Sequence, residues 1–263
     1  MDDGSAKAAS ELLVRHWREG AVLDGLPPTL RPTTRRDGYL IQAQIESLSD
    51  RPLFGWKIAA TSAAGQKHIG VDGPLAGRLL AEMVDLDGAL IPFGANRMRV
   101  AEVEFAFRMG SDLAPREKPY SQVEALEAVS DLFLAIEIPD SRYAQFVTAG
   151  GPQIIADNAC AHRFVLGPKA PDAWRRTDLA SHRVVGRVET RQEYEGIGSN
   201  VLGDPRLALT WLANELSSLG VTLAVGQIVT TGTCVTPMAI RPTDVVSGDF
   251  GVLGRVSCRF ADV

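Results

Sequence analysis

The sequence predicts an α+β fold. Three features carry that expectation: helical spacing of apolar residues over the first fifty positions, short period-two runs punctuated by Gly, Pro, Asp and Asn from Leu53 onward, and a lone amphipathic helix near residue 205. With 263 residues the chain can bury a large core. No repeat, low-complexity segment or long linker divides it. The simplest organisation is one catalytic domain over 1–263, with a helical layer at 1–50 and a β-rich core at 51–263.

The elements follow in order. From Ser5 to Glu19, Ala9, Leu12, Leu13 and Trp17 recur at helical spacing, and Gly20 offers a stop. Leu26-Pro-Pro28 and Arg31-Pro32 make an extended connection, because the residue before a proline is pushed out of the helical region. Thr34-Arg-Arg-Asp37 then forms a capping-box pattern ahead of Ile41, Ile45 and Leu48. Leu53 to Ala60 reads as a strand. So does Val100 to Met109, and so does Leu132 to Ile138. The later helix has Asp204 as cap, Pro205 in its first turn, an inner stripe of Leu209, Leu212, Leu216 and Leu219, and Gly220 beyond its end. Gln227 to Val235 and Gly251 to Phe260 read as returning strands.

Composition excludes several classes of function. The chain is 45% apolar, its formal charge is −5 and its pI is near 5.5. Basic runs stop at two residues, as in Arg35-Arg36, whereas a phosphate-binding surface needs clustered Lys and Arg. No stretch approaches the ~20 apolar residues of a membrane span, and the acidic start Met1-Asp-Asp-Gly-Ser5 is not that of a signal peptide. A cytoplasmic enzyme acting on a small molecule is expected. Cys160, Cys234 and Cys258 are odd in number and set among apolar residues, which suits reduced core thiols. The four histidines are scattered without ligand spacing. No Ser-His-Asp or Cys-His arrangement is legible.

The chemistry-bearing signal is in the strands. In Val100-Ala-Glu-Val-Glu-Phe-Ala-Phe-Arg-Met109, alternation puts Glu102 and Glu104 on one face and Val103, Phe105 and Phe107 on the other. Two like charges at roughly 4 Å repel by on the order of 4 kcal/mol at an effective dielectric of about 20. A bound cation would remove that cost. Glu137 emerges in the same way from a run whose other face carries Leu132, Leu134, Ile136 and Ile138. Three oxygen donors without Cys or His suit Mg²⁺ or Mn²⁺ better than zinc. The alternative is that each Glu pairs with an arginine such as Arg99, Arg108 or Arg142, or faces solvent.

Lys57 shares its strand face with the small residues Gly55 and Ala59, opposite Phe54, Trp56 and Ile58. Room beside an ammonium suits a carboxylate or a developing enolate oxygen, unless the lysine snorkels from an edge strand. Thr230-Thr-Gly-Thr-Cys234 offers hydroxyls and a close backbone approach to a ligand, although turn chemistry explains it equally well. Gly196-Ile-Gly198 with Gly203 is spaced GxGxxxxG, which is not a dinucleotide fingerprint.

Gly55-Trp-Lys-Ile58, Ala101-Glu-Val-Glu104, Ile136-Glu-Ile-Pro-Asp-Ser-Arg142, Ala156-Asp-Asn158 and Gly203-Asp-Pro205 with Trp211-Leu-Ala-Asn214 stand in a telling order. The chain resembles the 2-keto-4-pentenoate hydratases, which belong with the 4-oxalocrotonate decarboxylases in the fumarylacetoacetate hydrolase superfamily. The likeness runs from the first helix to Val246. It implies N-terminal helices on a distorted mixed β-roll of the fumarylacetoacetate hydrolase C-terminal-domain type, and a Mg²⁺ or Mn²⁺ held by Glu102, Glu104 and Glu137. It also implies catalytic and substrate-binding work for Lys57, while Thr233, from the hydroxyl-bearing run, is a candidate substrate contact. The implied activity is hydration of a 2-hydroxy-2,4-dienoate to a 4-hydroxy-2-oxo acid in aromatic catabolism, by a homo-oligomer. Decarboxylation of a 2-oxo-3-enedioate and C–C hydrolysis are alternatives within the superfamily, and a noncatalytic partner subunit is another. One segment departs from the resemblance: Leu75 and Ala76 stand where many hydratases carry an acid and an aromatic in a loop. A wider pocket follows, and Arg78 could meet a distal carboxylate there.

Overall fold

The computed structural model describes residues 1–262. Its helices are α1 (Asp3–Glu19), α2 (Arg35–Ala43), α3 (Ala63–Ile69), α4 (Gln122–Glu127), α5 (Gly151–Ala156) and α6 (Pro205–Ser218). The first half of the chain adds strands β1 (Leu53–Ala59), β2 (Leu75–Leu80), β3 (Val84–Leu86), β4 (Leu90–Ile91), β5 (Val100–Met109) and β6 (Val129–Ile138). The second half adds β7 (Arg163–Lys169), β8 (Arg183–Val188), β9 (Gln192–Ile197), β10 (Ile228–Thr233), β11 (Met238–Ala239), β12 (Val245–Asp249) and β13 (Arg255–Phe260). One mixed sheet runs β2-β1-β10-β5-β6-β7-β3 with β11 attached to β5, and a second runs β4-β13-β12-β8-β9.

The two sheets pack through the apolar faces of β5 and β6. Val103, Phe105 and Phe107 lie opposite Ile136, Leu134 and Leu132, and all six are fully buried. Phe105 meets Phe250 edge-on at 4.9 Å between ring centres, and Phe107 meets Trp174 at 5.9 Å. Alternation leaves the opposite face of the first sheet to the acids. Leu209, Leu212 and Leu216 of α6 complete the main core.

The N-terminal helices form a smaller core of their own with Leu26, Ile41, Tyr143 and Ala156. The expected caps are present. Thr34 and Asp37 exchange their capping-box bonds, and Gly20 closes α1 in the left-handed conformation at φ 63°. Trp17 donates from Nε1 to Nδ1 of His162 at 2.8 Å, tying α1 to the start of β7.

Three expectations change in detail. Leu75 and Ala76 are not in a loop: they open β2, fully buried, because they pair with Ala59 and Ile58 of β1 in an antiparallel ladder that runs on through Gly77. Gly251–Leu253 is a single tight turn, so the last strand begins only at Arg255. The strand read over Gln227 to Val235 is trimmed to Ile228–Thr233.

Candidate metal centre

Pairing register brings the expected acids together. Glu102 lies directly opposite Glu137 across β5 and β6, and Glu104 lies opposite Ala135. Lys57 pairs with Thr230, and Thr230 with Ala106, so Lys57, Glu102, Glu104 and Glu137 all emerge on one face. One oxygen from each carboxylate lies within 4.8 Å of the others. Glu104 and Glu137 are buried, while Glu102 is partly exposed at the rim.

None of the arginines considered as partners meets these acids. Arg99 and Arg108 lie over the rings of Phe93 and Phe133, and Arg142 is paired with Asp157. Among the described residues Lys57 supplies the one cation at these acids, with Nζ 2.9 Å from Glu137 Oε1 and 2.9 Å from the carbonyl oxygen of Ala159. Beyond that ion pair, neither Glu137 oxygen receives a hydrogen bond from the described residues, and Glu104 Oε1 receives none from them. Buried carboxylate oxygens without donors carry a desolvation cost that a divalent cation would offset. The donor set therefore fits a hard cation, with three oxygens and no sulfur or nitrogen.

The protonation states agree with such a site. Burial, and then Glu137, raises the Glu102 carboxyl to about 7, while Lys57 pulls it partway back. Burial raises Glu104 well above the carboxylate range, reinforced by Glu137 and Glu102. Glu137 is raised by burial against the pull of Lys57. Burial works against the Lys57 ammonium, but Glu137 and Glu102 outweigh it and hold the group protonated. Between the ordinary value of 4.5 and about 7, the metal-free fold retains a proton on Glu102 that the unfolded chain has released. Metal-free stability should thus fall as pH rises through that window. Cation binding must displace that proton, so affinity should climb with pH and proton release should fade. Titration calorimetry with Mg²⁺ near pH 6 and near pH 8, in buffers of different ionisation enthalpy, checks both trends. Equal affinities without proton release would contradict them.

Lys57 is held from beneath by an unusual turn. Asn158, Ala159 and Cys160 are successive non-glycine residues with φ of 53°, 50° and 62°. Left-handed backbone costs an L-residue roughly 1–2 kcal/mol. Arg142 offsets this by donating to the carbonyls of Asp157 and Ala161, at the two ends of the turn, while its Nε pairs with the Asp157 carboxylate. The Asn158 side chain bonds the N–H and C=O of Arg78 at 2.7 and 2.8 Å, sealing the edge of β2. β1 lies inside the sheet because β2 and β10 pair with its two sides, and Lys57 is only 3% exposed rather than snorkelling from an edge. Gly77 fits where the turn approaches. A Cβ there would stand 2.5 Å from the Asn158 carbonyl oxygen and 2.9 Å from Lys57 Cδ. Gly77→Ala should cost about 1–3 kcal/mol by overpacking, read as a lower denaturant midpoint at unchanged slope.

The remaining sequence candidates lie elsewhere. Arg78 shares the Trp56 face of β1 and β2, across the sheet from Lys57. Its guanidinium stacks over Trp56 and bonds Glu46 and Gln42, so the structure does not bring it to the acids. Thr233 pairs with Glu104 in register, but its hydroxyl donates to the carbonyl of Val235 at 2.7 Å. Asp157 is fully enclosed by Ser141 and Arg142. Burial pushes the Cys160 thiol up to about 12, which removes it as a nucleophile at neutral pH. Sequence reasoning offered the Thr230–Cys234 hydroxyls to a ligand and singled out Thr233, but missed that the Thr230 hydroxyl donates to Glu104, and missed the Ala159 carbonyl. The Thr-Thr-Gly-Thr run was the available signal for the first. Nothing local marks the second.

Two β-layers, N-terminal helices and an inward carboxylate trio define the class of protein. Residues 79–261 match the family described as fumarylacetoacetate (FAA) hydrolase C-terminal, and the chain belongs to that family. It is 32% identical to a 2-keto-4-pentenoate hydratase of Paraburkholderia xenovorans (strain LB400), over 99% of this chain and 96% of the relative. It is 30% identical to a 2-oxo-hept-4-ene-1,7-dioate hydratase of Escherichia coli, over 86% and 87%. Among solved structures, it is similar to the 4-oxalocrotonate decarboxylase from Pseudomonas putida G7, complexed with magnesium and adipate. That match has a TM-score of 0.89 and 24% identity, covering 99% of this chain and 98% of the other.

Proposed function

We propose that the chain is a divalent-metal-dependent hydratase that adds water to a 2-hydroxy-2,4-dienoate, giving a 4-hydroxy-2-oxo acid in aromatic catabolism. The observation that carries this reading is the convergence of Glu102, Glu104, Glu137 and Lys57 on one sheet face of a chain similar over its whole length to 2-keto-4-pentenoate hydratases. Glu102, Glu104 and Glu137 would hold Mg²⁺ or Mn²⁺. When bound, the cation supplies Lewis-acid polarisation of the substrate's oxo-acid end.

The chain's own groups supply the rest. Lys57 presents a fixed positive charge whose position is set by Glu137 and the Ala159 carbonyl. An ammonium already oriented and desolvated stabilises negative charge developing on the substrate's 2-oxygen without reorganising during the reaction. Overall, one water adds across the diene: hydroxyl ends at C4, a proton at C5, and the enol becomes a ketone by moving its proton to C3.

The expectation that Arg78 could meet a distal carboxylate loses support, because its guanidinium is engaged by Glu46 and Gln42. Without that partner, the decarboxylase alternative rests on fold likeness alone. A homo-oligomer and a cytoplasmic location belong to the same reading. Among the described residues no helix is long and apolar enough to cross a membrane. Sedimentation of the purified chain tests the assembly.

The reaction is tested by following metal-loaded protein with 2-hydroxypenta-2,4-dienoate and, separately, 2-oxohex-3-enedioate by NMR, beside a chelated control. Metal-dependent appearance of the 4-hydroxy-2-oxo acid from the first supports the reading. Loss of CO₂ from the second, with the first untouched, would overturn it.

A further inference from the structure

The Thr230–Thr233 segment is not a regular strand end. Thr230 pairs with Ala106 but Thr233 pairs with Glu104, so three steps on β10 match two on β5 and the pairing slips by one residue. Such a bulge re-aims the groups it carries. Here it turns two donors onto a single atom. The Thr230 hydroxyl and the Gly232 N–H, the latter at 2.8 Å, both donate to Oε2 of Glu104. Gly232 has φ 106°, and a Cβ on it would stand 2.0 Å from Thr61 Oγ1, so the bulge requires glycine there. Thr230 and Glu104 are both completely buried, while Oε1 of the same carboxylate has no donor among the described residues.

We propose that this bulge sets how Glu104 binds its cation: Thr230 and Gly232 tie Oε2 to β10 and leave only Oε1 for the metal, which makes Thr230 a positioning residue that favours Mg²⁺ over Ca²⁺. The inference rests on the metal-site reading above and deepens it. Mg²⁺ takes a compact octahedral shell, whereas Ca²⁺ accepts more oxygens and takes carboxylates through one oxygen or both. A carboxylate with one oxygen committed to the protein serves the first cation better than the second. Donors that orient a ligand in this way are typically worth about 10–100-fold in metal affinity.

The test is calorimetric titration of Mg²⁺ and of Ca²⁺ into the full chain, without substrate, for wild type, Thr230→Val and Thr230→Ser. Valine keeps the shape and removes the hydroxyl; serine keeps the hydroxyl. Valine is expected to weaken Mg²⁺ about tenfold or more while Ca²⁺ changes by less than about threefold, with serine restoring the wild-type ratio. A valine variant that binds Mg²⁺ like wild type, or loses both cations equally, overturns the role of Thr230 and leaves the metal site standing. Should valine fail to fold, Thr230→Ala decides instead: a lowered Mg²⁺/Ca²⁺ ratio supports the role and a wild-type ratio overturns it. Wild type that binds neither cation overturns the metal-site reading itself.

Discussion

Lys57→Met is expected to lower turnover of a 2-hydroxy-2,4-dienoate by about 10²–10³-fold, the loss that follows removal of one preorganised charge from a desolvated site. Methionine keeps most of the side chain's length and apolar stem, so the strand should persist. The charge balance changes in a specific way. Among the described residues Lys57 is the one side-chain cation meeting Glu137 directly, and without it the metal-free site keeps two buried acids and the partly exposed Glu102 with no counter-charge. Those acids then take up protons or destabilise the fold. A divalent cation relieves them more than in wild type. The variant should therefore be nearly inactive yet show a larger Mg²⁺-induced rise in melting temperature. Kinetics and scanning calorimetry on one preparation measure both. Turnover within threefold of wild type would remove Lys57 from the chemistry.

Arg142→Met should produce the largest loss of stability, about 3–5 kcal/mol, because it strands the buried Asp157 carboxylate. Burial raises the Asp157 carboxyl, and the Arg142 guanidinium with the Ser141 hydroxyl opposes that rise. Removing the arginine leaves burial dominant. It also frees the two carbonyls that hold the left-handed turn, so Ala159 loses its fixed position beneath Lys57. For a chain of this size the loss corresponds to a melting temperature lower by roughly 10 °C. Asp157→Asn added to Arg142→Met should recover part of it, since the pair is coupled and the neutral amide removes the uncompensated charge. Additive losses in the double variant would contradict the pairing.

Much of the site was legible because strands alternate. Two glutamates at i and i+2 in an apolar run must share a face, and Glu137 obeys the same rule. The same parity put Lys57 beside Gly55 and Ala59. Parity also fails at definite places. A bulge shifts register by one residue, so the Thr230 hydroxyl reaches Glu104 while that of Thr233 bonds Val235. The left-handed turn at Asn158, Ala159 and Cys160 carries no glycine to announce it. Its cause is Arg142, a contact that local pattern does not reveal. Arg78 illustrates the same limit: Glu46 lies 32 positions away and Gln42 lies 36 away, and only the folded helical layer brings them to it. The resemblance places Leu75 and Ala76 in a loop, yet they open a buried strand, because pairing with β1 decides their conformation.

The most direct test of the carboxylate trio is anomalous diffraction from crystals of the chain grown with Mn²⁺. One strong peak per chain within bonding distance of Glu102, Glu104 and Glu137, lost in Glu104→Gln crystals, is the expected result. A peak elsewhere, or none at the trio under saturating Mn²⁺, would contradict it.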